Sequence, residues 1–268
     1  MIALIRPLIP AGGAAVLALA ALIGSPAAVL AEEPEQSSCD MISQHLGASY
    51  TISSNGRNDV ALEFWREANQ VLYHYPDRQV ADQWTLTRNG YLKPVRYFTE
   101  AERAIEYDAF DINGGKGSKD WESRSRWISQ DSIDAMQLTG SSGEGCMRVE
   151  TYESVVDAGN GKNDSFSRVT LSWLPALQLV DNYQVRSIDS LGQRRVVQWQ
   201  LDRLQTDQVL VEESIDAFDD FASTDYADIG DNESDPFLMK MIKLGFVQHG
   251  ASGFYDSNGL PLNGGHVH

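Results

Sequence analysis

Two cysteines in 268 residues are too few for a disulfide-stapled miniature scaffold, and they lack the C-x-x-C spacing of a redox pair. Positive charge is scarce. Twenty-one Lys and Arg face 38 Asp and Glu, for a formal charge of −17, which argues against nonspecific binding to nucleic acid or to an anionic membrane surface. With 42% hydrophobic and 9% aromatic residues, the chain is not collagenous, coiled-coil or disordered. Catalytic signatures are missing as well. No G-x-S-x-G elbow or S-x-x-K occurs, and Ser141-Ser142-Gly143 sits in a Gly/Ser stretch. Gly114-Gly115-Lys116-Gly117 lacks the spacing and closing Lys-Ser/Thr of a phosphate loop. Carboxylate pairs are everywhere in so acidic a chain, so no glycosidase-like pair stands out. An enzyme built from distant residues stays the third reading of the sequence.

What the sequence does hold begins with an export signal at residues 1–31. Arg6 is its only charge, an Ala/Leu/Val/Gly run covers 11–23, and Val29-Leu30-Ala31 offers small residues for cleavage near Ala31. The expected destination is the periplasm or the exterior. The mature part has no run long enough to span a bilayer. In such an oxidising compartment Cys39 and Cys146 are expected to form a disulfide.

The expected order is a leader with a short helix over 32–58, one β-rich domain over 59–246, and a flexible tail over 247–268. The short helix is placed at Asp40–Leu46. Val60–Trp65, Gln70–Tyr75, Gln83–Thr87, Val95–Phe98 and Ile105–Tyr107 are rich in aromatic and β-branched residues and read as consecutive strands, with Asn89-Gly90 as the strongest hairpin turn. A glycine loop at 113–118 leads to a helix over Lys119–Gln130, and Thr139–Gly145 reads as a connection. Cys146–Val156, Phe166–Leu174, Leu177–Ile188 and Arg194–Leu204 read as four further strands, two of them with clean alternation at Val169/Leu171/Trp173 and Val197/Trp199/Leu201. About nine strands and four helices follow. The fold class is α+β, mainly antiparallel β, as a curved sheet or half-barrel with peripheral helices on one side.

The run Val169-Thr170-Leu171-Ser172-Trp173-Leu174-Pro175-Ala176-Leu177-Gln178-Leu179, then Tyr183–Ser187, Gly192 and Val196-Val197, resembles the periplasmic lipoprotein-carrier and lipoprotein-sorting superfamily over about residues 169–201. The resemblance implies a curved half-barrel that encloses an apolar cavity under helices, with a lipid or lipoprotein as ligand. Trp84, Trp173, Trp199, Phe237 and Met241 are the candidate cavity walls, chosen by side-chain type and expected inward facing.

Residues 207–235 carry eleven acids and no base. They read as a solvated acidic face, as a Ca²⁺ site using Asp225, Asp228, Asp231, Glu233 and Asp235, or as a dock for a basic exported partner. Ile215, Phe218 and Phe221 suggest a short helix that buries its apolar side. Ser234-Asp235-Pro236 opens a helix over 236–244 with Asp235 as cap. His266 and His268 at the chain end could chelate Cu²⁺ or Zn²⁺. The leading functional expectation is a noncatalytic carrier or assembly protein for an apolar ligand or exported partner; the alternative is a metal-binding protein using calcium or copper.

Overall fold

The computed structural model describes residues 35–55, 57–109, 118–157, 166–188, 192–231 and 234–243. Residues 1–31, expected to be an export signal, the glycine-rich residues 114–117, Glu233, and residues 247–268 with His266 and His268 lie outside the described residues. No described helix is long and apolar enough to cross a membrane.

Twelve strands build one open, mainly antiparallel sheet: β1 (His45–Ser54), β2 (Arg57–Glu67), β3 (Gln70–Tyr75), β4 (Val80–Leu86), β5 (Leu92–Phe98), β6 (Arg103–Glu106), β7 (Gln137–Ser142), β8 (Val149–Asp157), β9 (Phe166–Leu174), β10 (Leu179–Ile188), β11 (Arg194–Gln205) and β12 (Ala222–Asp225). Their spatial order is β12-β6-β5-β4-β3-β2-β1-β11-β10-β9-β8-β7. Two five-stranded meanders, β2–β6 and β7–β11, thus flank β1, which pairs antiparallel with both β2 and β11. Only β12 runs parallel to its neighbour.

The aromatic and branched segments form β2–β6 as their composition predicts. Asn89-Gly90 lies in the β4–β5 connection, where Thr87 and Tyr91 close the hairpin by backbone hydrogen bonds. Of the two turn residues only Gly90 takes a positive φ, 78°. The four expected strands of the second half appear as β8–β11, with a turn at Pro175–Gln178.

Four expectations need correction. The segment expected to be leader and short helix contains α1 (Glu35–Gln44) and then β1, the strand at the middle of the sheet. Thr139–Gly145 is not simply a connection, because most of it belongs to β7. The expected helix at Lys119–Gln130 breaks into α2 (Ser118–Arg126) and α3 (Gln130–Asp134), separated by Trp127 at φ 70° and capped anew by the Ser129 hydroxyl. Helices also occupy both faces, not one.

The strand period sorts the side chains. Leu62, Phe64, Val71, Trp84, Leu92, Phe98, Leu171 and Trp173 face the main core, which α3 and α5 (Pro236–Lys243) cover with Ile133, Leu238 and Met241. The opposite face carries a second, smaller core of Leu72, Ala81, Tyr97 and Ala104, roofed by Phe218 and Phe221. These phenylalanines follow α4 (Gln208–Ile215), which Asp207 caps and whose Val211 and Ile215 are buried. The acidic stretch therefore earns its place through its apolar residues, while Asp216, Asp219 and Asp220 point to water.

Candidate functional site

The main face of the sheet is closed over part of its width and half-open over the rest. At its centre Trp127 is wrapped by Tyr50, Phe64, Tyr73 and Trp199, with ring centroids 4.4, 5.5, 6.0 and 4.6 Å away. A non-glycine residue in the left-handed region carries backbone strain, and here the aromatic packing holds Trp127 in it.

Arg66 of β2 fixes the rim of this core. Its guanidinium donates to the carbonyls of Ser125, Leu177 and Gln178 at 2.7, 2.5 and 3.1 Å. One side chain thereby ties the end of α2 and the Pro175–Gln178 turn to the sheet. Burial pulls Arg66 down to about 10, still cationic at neutral pH. Beside it the Tyr73 hydroxyl donates to the Arg124 carbonyl, and the Arg124 guanidinium lies 4.2 Å over the Trp84 ring. Tyr50 donates to Val180 O at 2.6 Å. Burial pushes the Tyr50 and Tyr73 hydroxyls above the ordinary phenol range, and Tyr75 up to about 12.

Beyond Trp127 the cover thins. Leu171, Tyr183 and Trp199 stand side by side across β9, β10 and β11; two residues further along, Val169, Val185 and Val197 form a second row, and Ile52 on β1 extends the surface from Trp199. Leu171 is fully buried, whereas Tyr183, Trp199, Ile52 and the three valines are half-buried. The result is an apolar shelf continuous with the core. Valine and aromatic side chains dominate it and give contact area suited to an apolar surface.

The five sequence-chosen wall residues all join the main core, but at different places. Trp199 alone lies on the shelf. Trp84 is buried beneath Arg124, and Trp173 is buried on β9. β4 and β9 stand six strand positions apart, roughly 28 Å at ordinary strand spacing. Phe237 packs edge-on to Phe98 at 5.2 Å, and Met241 is buried with it under α5. The residues that sequence reasoning missed are Tyr183, Val185, Arg66 and the central role of Trp127. The alternation of β10 is weaker than that of β9 and β11, and nothing in a linear pattern marks an arginine for burial.

Among the described residues no group of three or more His, Cys, Asp or Glu is placed to hold a metal ion. Asp225 ends β12, Asp228 and Asp231 lie in the 3-10 stretch Tyr226–Asp231, and Asp235 is engaged elsewhere. It accepts from the Phe237 amide at 2.8 Å as helix cap and from Arg103 at 2.9 Å. That arginine bond holds its carboxyl below the usual carboxylate range. His74 faces away from Tyr73 and Tyr75, bonds Glu63 at 2.9 Å and packs on Phe218.

The predicted disulfide is present. Cys39 of α1 and Cys146, in the 3-10 turn Gly145–Met147, are joined with Cα atoms 5.3 Å apart.

No protein-family model matches the chain, and no curated protein matches it in sequence. Among solved structures, that of PNGF-II in space group C2 is similar over 68% of this chain at 11% identity, with a TM-score of 0.35; the alignment spans 31% of that chain.

Proposed function

We propose that this chain is an exported, noncatalytic carrier or assembly protein that holds an apolar ligand, or an apolar segment of an exported partner, on the shelf formed by Ile52, Val169, Tyr183, Val185, Val197 and Trp199. One observation carries the reading: the shelf continues the buried core yet stays half-open. A row of that kind left to water is unfavourable, at ~25 cal/mol per Å² of apolar area, and a ligand that covers it recovers that energy. The disulfide suits an oxidising, extracytoplasmic compartment. A half-barrel curvature would turn the shelf into a trough, and the register shifts at Ser49/Tyr50, Ile52/Ser54 and Val180/Asn182 supply the bends such a curve needs.

The test is native mass spectrometry of the chain purified from a periplasm, paired with the Val197→Glu variant. The expected result is a mass excess that dissociates as lipid or peptide from the parent and is lost from the variant, with blue-shifted Trp199 emission only in the loaded form. A bare mass for the parent, with no emission change on adding phospholipid micelles, sinks the proposal.

A further inference from the structure

The two edges of the sheet are built differently. β12 is four residues long, ends in Asp225 and follows exposed Asp219 and Asp220. Brevity and charge are the usual protections of an edge against another strand. β7 has neither. Its six residues, Gln137–Ser142, are all exposed, carry no charge and no proline, and pair on one side only, with β8. Its sole irregularity is the register shift between Leu138 and Gly140. Every second residue of β7 thus presents its N–H and C=O outward from the sheet.

Side chains around this edge favour contact. Leu138, Met147 and Val155 are 53%, 52% and 50% exposed, and Met41 on α1 is 66% exposed. The Cys39–Cys146 disulfide fastens α1 beside the turn that carries Met147. Thus four of the seven large hydrophobics exposed among the described residues belong to β7, β8 and the elements joined to them. The rim is acidic. Asp131 and Asp134 precede β7, Glu144 follows it, and Glu153 stands opposite Gln137 on β8. Of the described cations nearby, Arg148 is engaged by Glu150 at 2.9 Å, and Arg168 stands a strand further in, opposite Val155 on β9.

We propose that β7 is a docking edge for an extended, basic segment of an exported polypeptide, which adds to the sheet as a thirteenth strand. Backbone hydrogen bonds along β7 supply sequence-tolerant affinity, Leu138 receives an apolar side chain on one face, and the acidic rim selects a cationic segment. A second copy of the chain is the wrong occupant, since pairing β7 with its own copy would bring two acidic rims together on molecules of charge −17. The inference rests on the exported-carrier reading for where such segments are met, but it uses a surface separate from the shelf.

The probe is a synthetic peptide of alternating valine and threonine with lysines at both ends, compared with the same peptide carrying proline at every second position. The expected result is saturable binding that weakens with salt, slowed amide hydrogen exchange at residues 137–142, and no binding of the proline peptide. The double variant Leu138→Lys/Ser141→Lys, whose melting temperature is measured first, should weaken binding by about tenfold or more, through edge protection and charge. Should that variant unfold, Ser141→Lys alone is read against the same exchange signal. Unchanged exchange at 137–142 in the presence of peptide overturns the proposal, as does a concentration-dependent dimer, without peptide, that protects the same amides. Ligand retention at Trp199 is scored independently. Loss of that signal with β7 protection intact removes the shelf reading alone, and the converse removes the edge alone.

Discussion

Arg66 and Arg96 lie on the same sheet face and meet burial by different means. Arg66 spreads its charge over three carbonyl dipoles and is drawn down to about 10 by desolvation. Burial works against Arg96 as well, but Asp82, its cross-strand partner, more than reverses the effect and holds the guanidinium charged. The pair is bidentate, at 2.7 and 2.8 Å, with both side chains almost wholly buried. Such a pair is costly to break and inexpensive to replace outright. Arg96→Met alone is expected to destabilise by about 3–5 kcal/mol, because Asp82 is left charged in the core, while Asp82→Leu/Arg96→Met together should cost less than either single change. Urea denaturation of the three variants checks this; additive losses would mean that the carboxylate is not desolvated in the fold.

At the scale of elements, what was legible follows from how strongly each segment's pattern is enforced. β2–β6 and β9 are dense in aromatic and branched residues with one buried face, so composition and period agree. β1 reads His-Leu-Gly-Ala-Ser-Tyr-Thr-Ile-Ser-Ser, and its small residues hide a strand that is buried because of its neighbours. Gly47 shows the reason for one of them: a Cβ there would fall 2.2 Å from the Trp65 ring across the β1–β2 pair. β7 was illegible for the opposite reason, being wholly exposed and so free of any hydrophobic period. The shelf was half-legible. Trp199 declared itself by alternation, whereas Tyr183 and Val185 become site residues only through their register with β11. The disulfide was the clearest inference of all, since two cysteines allow one pairing. Closing a 107-residue span, it is expected to contribute up to ~4–5 kcal/mol in the chain-entropy model. Reduction should lower the melting temperature in calorimetry and release α1 first, seen as faster amide exchange over residues 39–44. Equal melting temperatures in both redox states would show that the staple constrains little.

For the molecule as a whole, the buried phenols set an alkaline limit. Tyr50, Tyr73, Tyr75 and Tyr97 are all pushed above the ordinary value of 10 by burial, Tyr75 to about 12. The native state keeps these protons where the unfolded chain has lost them, so the stability they confer is present below pH 10 and declines as pH rises toward 12. Arg66 acts with the opposite sign, since the native state releases its proton first, but one guanidinium stands against four phenols. The tyrosinate absorbance of these four phenols should therefore appear together with loss of the β-sheet circular dichroism signal above pH 10; titration of all ten tyrosines near pH 10 with the fold intact would contradict the burial. The topology has its own temporal consequence. Each meander can zip from neighbour to neighbour, yet β1, the first described strand, meets the second meander only across long stretches of sequence, as in the Thr51–Asp202 contact with β11 across 151 positions and the Tyr50–Val180 contact with β10 across 130. On a chain that emerges N-terminus first, β1 can find β2 at once, but its other side stays bare until nearly the whole sheet has arrived. That interval is when a chaperone would have most to do and when misjoining with a neighbouring chain would be most damaging.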